Sequence, residues 1–290
     1  LLAPIVASTV MLSAHAKALD IKETGSILIG QGEGYAEILK YQSATGTVVI
    51  TSSATGSLSR VDISNPGHPV KAAPIKLEGG DVTAVAVHGD LIAASVKGDK
   101  AADAGSIQLF GSDGKMLARF PTGPLPDNIA FSPDGRFIIT ANEGEPAKDY
   151  SVDPDGGFTV IDLEGGVANA KVSQISLYAT EAPAGARIVK PGSDFASDAE
   201  PEYVTVDADS RTAYASLQEN NALAIIDLPS ATVTAINGLG FKNVSRDSHD
   251  MSDKDGGINM RSWPVTMMFQ PDAIQSYRTG GRTYIVSANE

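Results

Sequence analysis

The stretch Pro126–Asp162, PDNIAFSPDGRFIITANEGEPAKDYSVDPDGGFTVID, decides the fold. Asn128–Phe131 and Arg136–Thr140 are β-branched, apolar runs on either side of Ser132-Pro133-Asp134-Gly135. That tetrapeptide is a tight-turn sequence: Pro presets its φ, Asp bonds nearby backbone N–H groups, and Gly accepts a positive φ. A long acidic loop follows. Gly157–Leu163 then reads as a third strand and Val172–Tyr178 as a fourth.

The same order of elements recurs on both sides of this unit. Upstream lie Ala36–Tyr41, Thr47–Thr51, Gly56–Ile63 and Val70–Leu77, then Val82–Val87, Leu91–Val96, Gly105–Phe110 and Lys115–Phe120. Pro74 marks Val70–Leu77 as an edge strand, because Pro cannot donate to a ladder. Downstream lie Tyr203–Val206, Thr212–Leu217, Ala222–Asp227 and Thr232–Ile236, then Asp272–Tyr277 and Thr283–Ser287. First strands start near Ala36, Val82, Asn128, Tyr203 and Ala273, at intervals of 46, 46, 75 and 70 residues. The two long intervals hold insertions at Thr180–Ala199 and Asn237–Gln270. Four short strands repeated about every 45 residues predict an all-β protein, a β-propeller of four-stranded blades. This sequence covers four blades and part of a fifth, with seven expected in the full protein. A β-sandwich would not restart at this period. The leading run Ser26–Gly30 has no partner in its own cycle and is expected to be a strand that completes the last blade, which the missing C-terminal part would supply.

Composition agrees. The 290 residues are 42% hydrophobic with 29 Gly and 16 Pro, as suits a turn-rich globular chain. Net charge is −13, which argues against nucleic-acid partners and suits cations or plain solubility. The absence of Cys excludes disulfides and thiolate chemistry. Leu1–Ala18, LLAPIVASTVMLSAHAKA, has an apolar run and A-x-A endings and reads as a signal peptide without its Met and basic start. The propeller domain is then 19–290, the protein is expected to be exported, and no stretch is long enough to span a membrane. The missing initial Met and the final Ala288-Asn289-Glu290, which matches the start of an earlier acidic loop, suggest a fragment truncated at both ends.

Candidate chemistry gathers where each first strand begins. The leading residues are Ala36-Glu37-Ile38, Asp81-Val82-Thr83, Pro126-Asp127-Asn128, Pro201-Glu202-Tyr203 and Pro271-Asp272-Ala273. The loops after the second strands include Asn142-Glu143-Gly144-Glu145 and Gln218-Glu219-Asn220. In a propeller both series reach one end of the central channel, where carboxylates repel unless protons or a cation compensate. Hard oxygen donors suit Ca²⁺, and Mg²⁺ less well, so Asp127, Glu143, Glu202, Glu219 and Asp272 are the expected metal ligands. The competing reading is that these residues cap strand ends. Asp253-Lys254-Asp255-Gly256 resembles part of a calcium loop, but the wider pattern fails, with Met251 and Ser262 at its ends. There is no G-x-S-x-G elbow, no phosphate-binding glycine loop and no His spacing of a zinc site.

The chain also resembles a known family, the exported bacterial choice-of-anchor I proteins, often labelled mesenchyme-specific cell surface glycoprotein-like. The resemblance rests on Gly34–Ile38, Pro126–Pro146, Glu200–Leu228, Asn237–Lys242, Ser252–Asn259 and Trp263–Ala273. It implies a WD40/YVTN-like propeller, often held at the cell surface by a C-terminal anchor of variable type. Some relatives are described as alkaline-phosphatase-like. Two functions are therefore expected as alternatives. One is a surface or secreted binding module for a small-molecule, phosphate-ester or surface ligand. The other is a Ca²⁺-dependent phosphoesterase in which Arg261 or Lys148 would hold phosphate oxygens.

Overall fold

The computed structural model describes residues 20–177, 181–252 and 254–289. The signal-peptide reading at 1–18 falls outside these residues. Four antiparallel meanders of four strands follow one another. Blade one is β1 (Leu39–Gln42), β2 (Thr47–Ser52), β3 (Ser57–Asp62) and β4 (Val70–Lys76). Blade two is β5 (Val82–His88), β6 (Leu91–Val96), β7 (Ala104–Gly111) and β8 (Met116–Pro124). Blade three is β9 (Pro126–Phe131), β10 (Phe137–Asn142), β11 (Gly157–Asp162) and β12 (Lys171–Ser176). A short helix, α1 (Phe195–Asp198), sits in the first insertion. Blade four is β13 (Pro201–Val206), β14 (Thr212–Leu217), β15 (Ala222–Asp227) and β16 (Thr232–Gly238). The second insertion holds a two-stranded ribbon, β17 (Lys242–Asn243) with β18 (Thr266–Met267). Blade five contributes the hairpin β19 (Pro271–Thr279) and β20 (Arg282–Asn289).

First strands are neighbours in space: β1 lies by β5, β5 by β9, β9 by β13 and β13 by β19. This is the arrangement of blades around a channel. Blades two and three have neighbours on both faces, which is why their middle strands are buried and apolar nearly throughout rather than alternating. On β10, Phe137, Ile139 and Ala141 pack toward blade four, while Ile138 packs toward blade two. Blade one meets blade two through Val49, Leu58 and Ile75 against Val85, Ile92 and Phe110. Polar groups cross the same interfaces. Thr205 Oγ1 lies 3.1 Å from Ser276 Oγ, and Thr283 donates to Asp207 at 2.7 Å.

The Ser132–Gly135 turn forms as expected. Gly135 has φ +75° and its N–H reaches Ser132 O at 2.8 Å, while Asp134 Oδ1 accepts from Ser132 Oγ and from Arg136 N. Asp134 N donates to Ser210 Oγ in the matching turn of blade four, so the two turns lock together. Pro74 sits in a bulge of the outer strand β4, where the register slips opposite Ser59.

Ser26–Gly30 is not a strand. Residues 20–38 form none, and this segment passes outside blade one, where Lys71 Nζ donates to Ile29 O at 3.0 Å. Gly25 packs so closely that a Cβ would lie 2.3 Å from Pro66 O. An apolar run becomes a strand only when a partner's backbone takes its N–H groups, and among the described residues no ladder reaches this one.

Candidate functional site

Each first strand after β1 opens with a β-bulge. On β9 the register passes from Pro126 opposite Asn142 to Asn128 opposite Ala141, so Asp127 is the extra residue. On β19 Asp272 is extra in the same way, between Pro271 and Ala273. On β13 the slip spans Glu202 and Tyr203. A bulge re-aims its side chain and stops the strict alternation of faces. It also moves the series in blade two, where the bulged residue is Thr83. Thr83 Oγ1 bonds Pro126 O and Ser95 Oγ, while Asp81 pairs with Lys97 Nζ at 3.2 Å. The acidic series therefore belongs to blades three, four and five. Leu125 and Gln270, each just before the Pro that starts its strand, take positive φ of 44° and 42°. Such strain is held only where neighbouring structure over-determines it.

The second series comes from the loops after the middle strands. Glu143 follows β10, and its N–H donates to Leu125 O at 2.8 Å, which ties the loop to the start of β9. Gly144 (φ +70°) lets this backbone pass Pro154, whose O would lie 2.7 Å from a Cβ. Glu219 leads Asn220 and Asn221, both fully buried, and these two amides fasten the insertions. Asn220 Nδ2 donates to Asp198 at 2.9 Å, and its Oδ1 accepts from Glu200 N at 3.0 Å. Asp198 in turn accepts from Val189 N and Lys190 N, both at 2.7 Å. Asn221 binds Gly185 O and Gly240 O and accepts from Phe269 N. Asn220, expected to join an acidic rim, instead holds the first insertion onto blade four.

The carboxylates sense one another. Burial, then the charges of Asp272 and Glu145, push the Asp127 carboxyl up to about 6. Burial, then Asp127, Glu145, Glu200 and Glu202, push Glu143 up to about 9. Burial, then Glu219, Asp198, Glu145 and Asp153, push Glu200 up to about 7. All five residues expected from the sequence are thus linked by charge across blades three to five. Glu145 and Glu200 are central members, and Asp198 and Asp153 are adjoining ones. The sequence reading did not single out Glu200, although its signal was there: Glu200-Pro201-Glu202 puts a carboxylate on both sides of the Pro that starts β13.

At neutral pH the Glu143 carboxyl keeps its proton, so protons supply part of the compensation that crowded carboxylates need. Among the described residues, no three His, Asp or Glu side chains are grouped closely enough to hold one metal ion. The donor chemistry, all carboxylate and amide oxygen, is that of a hard cation. Arg261 is elsewhere, stacked 3.8 Å over Trp263 in the second insertion, where His249 and Arg261 form a bridge. Lys148 does reach this end, beside Glu145.

The choice-of-anchor I domain model matches residues 37–290. The chain belongs to the choice-of-anchor I family. No curated protein sequence matches it. Solved structures similar to this choice-of-anchor I domain share the fold at low identity. Kuenenia stuttgartiensis hydrazine synthase is 11% identical with a TM-score of 0.56, over 88% of this chain and 72% of that one. A functionally unknown protein from Desulfotomaculum acetoxidans is 14% identical with a TM-score of 0.53, over 88% and 63%. The β-propeller domain of Myceliophteria thermophila Cps50 (Swd1) is 12% identical with a TM-score of 0.50, over 72% and 57%. At these identities the likeness speaks to the propeller alone. No helix among the described residues is long and apolar enough to cross a membrane.

Proposed function

We propose that this choice-of-anchor I propeller is an exported or cell-surface binding module whose acidic end takes a divalent cation, Ca²⁺ in preference to Mg²⁺. The observation that carries this reading is the gathering of carboxylates from three blades at one end, where burial first and neighbouring carboxylates second push Asp127, Glu143 and Glu200 up. Carboxylates gathered this closely repel one another, and a cation that replaces the proton relieves that repulsion. Ca²⁺ accepts irregular sets of six to eight oxygens, whereas Mg²⁺ requires a tighter octahedron. Binding is coupled to loss of the Glu143 proton and to inward rotation of exposed side chains such as Glu145 and Asp272. The exported location draws on the leader-like residues 1–18 and on the family's anchor-bearing character.

A second reading, Ca²⁺-dependent phosphoester hydrolysis, is favoured by one observation: Lys148 stands beside Glu145 at the same end. There a bound cation would polarise the phosphate and activate water. The test of the cation site is thermal unfolding of EDTA-treated full-length protein. Saturating Ca²⁺ at about one hundred times its dissociation constant is expected to add about 2.7 kcal/mol. No change of melting temperature at millimolar Ca²⁺ would sink the reading. For the second reading, turnover of a generic phosphomonoester no greater than that of the Asp127→Ala/Glu202→Ala double variant would reject hydrolysis.

A further inference from the structure

Beside the carboxylates lies a small cavity of mixed charge, in whose wall three lysines outnumber two carboxylates. It has a volume of about 230 Å³ and is lined by Lys97, Asp99, Lys100, Leu125, Glu145 and Lys148, among others. Three lysines around one cavity stand out in a chain of net charge −13. They come from two different loops. Lys97 and Lys100 belong to the loop between β6 and β7, and Lys148 to the loop between β10 and β11. Both loops are shaped by their own bonds. Asp103 caps Lys100 N at 3.2 Å and returns its own N–H to Lys100 O at 3.0 Å. Ala147 N bonds Val152 O at 2.8 Å, and Tyr150 N bonds Ala147 O at 2.7 Å. Lys97 is partly committed to Asp81. Among the described residues Lys100 and Lys148 form no ion pair, so their ammonium groups are available to a ligand.

We infer that this cavity is an anion subsite that takes a phosphate group, so that the acidic end recognises a phosphate-bearing ligand together with its counter-cation. The cavity is smaller than the roughly 300 Å³ at which pockets for drug-sized molecules begin, and so fits one small head group rather than an extended ligand. Ammonium groups act as mobile point charges, suited to a doubly charged oxyanion approached from several sides. Glu145 connects the two halves of the site. It lines the cavity and also raises Asp127, Glu143 and Glu200. A cation that neutralises Glu145 would strengthen the hold of the lysines on phosphate, and phosphate would strengthen cation binding by the same factor. The inference rests on reading this end as the recognition surface, but not on the cation being Ca²⁺.

The test is calorimetric titration of inorganic phosphate into full-length protein in EDTA. The Lys100→Ala/Lys148→Ala variant is expected to bind phosphate about tenfold more weakly than wild type, a change of about 1.4 kcal/mol. The charge-matched control Lys115→Ala/Lys254→Ala, at exposed positions on other loops, should bind as wild type does. Glu145→Gln should bind phosphate severalfold more tightly, because it removes a like charge from the wall. Equal weakening in the lysine variant and the control, or no heat from wild type at tens of millimolar phosphate, would overturn the inference. Acetate binding as tightly as phosphate would overturn the phosphate assignment in favour of a carboxylate ligand. Because no Ca²⁺ is present, a failure here leaves the Ca²⁺ melting experiment to judge the cation site separately.

Discussion

Replacing Glu143 by Gln should make the protein more stable at alkaline pH, because the wild-type carboxyl resists ionisation in the fold. The Glu143 proton is held to about 9 in the folded chain, against 4.5 for the ordinary group. A raised folded value means that the folded state binds more protons across that window. The stability this contributes is complete below about 4.5 and is lost as pH rises toward about 9. Each unit is worth about 1.36 kcal/mol, so the full window spans roughly 6 kcal/mol. Water at the half-exposed rim screens part of this, and about 2–4 kcal/mol is expected at pH 8. Gln has nearly the same shape and does not titrate. Glu143→Gln should therefore melt about 5–10 °C above wild type at about pH 8 in EDTA, and close to wild type at about pH 5. Circular dichroism melts of both proteins between those limits provide the assay. Parallel curves, with the same offset at every pH, would refute the claim that Glu143 is held protonated by burial and by its acidic neighbours.

Two further substitutions probe the scaffold. Asn220→Ala should cost about 2–4 kcal/mol, since it strips partners from the buried Asp198 and from Glu200 N; the melting temperature should fall and residues 181–199 should become sites of limited proteolysis. Gly135→Ala should cost about 1–3 kcal/mol, because φ is +75° and a Cβ would meet the His88 ring at 2.7 Å, whereas Gly257→Ala, in open space, should leave the melting temperature unchanged.

Much of the fold was legible because it repeats. FIIT in β10 reads as apolar throughout because alternate residues serve two different neighbouring blades. The Ser132–Gly135 turn carries its mechanism in four residues. The acidic end was legible as a series, but with an error of placement. Counting residues in twos fails at a bulge, so Asp81 looked equivalent to Asp127 when Thr83 holds that position. Ser26–Gly30 forms no strand among the described residues, which do not include the last blade it is expected to join. The roles of Asn220 and Asn221 were hidden for another reason. Their partners at 185, 187, 198, 240 and 269 lie far along the chain, and only the folded backbone brings them together. The lysine cavity was equally hidden, since Lys100 and Lys148 meet only when two successive blades stand side by side.

The most direct measurement on the acidic end is calorimetric titration of Ca²⁺ into full-length, EDTA-treated and desalted protein near pH 7.5, in two buffers of different ionisation heat. A cation that replaces the Glu143 proton should bind with release of on the order of one proton per ion, and the apparent enthalpy should differ between buffers accordingly. Glu143→Gln should bind with a much smaller buffer dependence of the heat, the remainder coming from partly protonated Glu200. Absence of binding, or binding with the same heat in both buffers, would contradict the account.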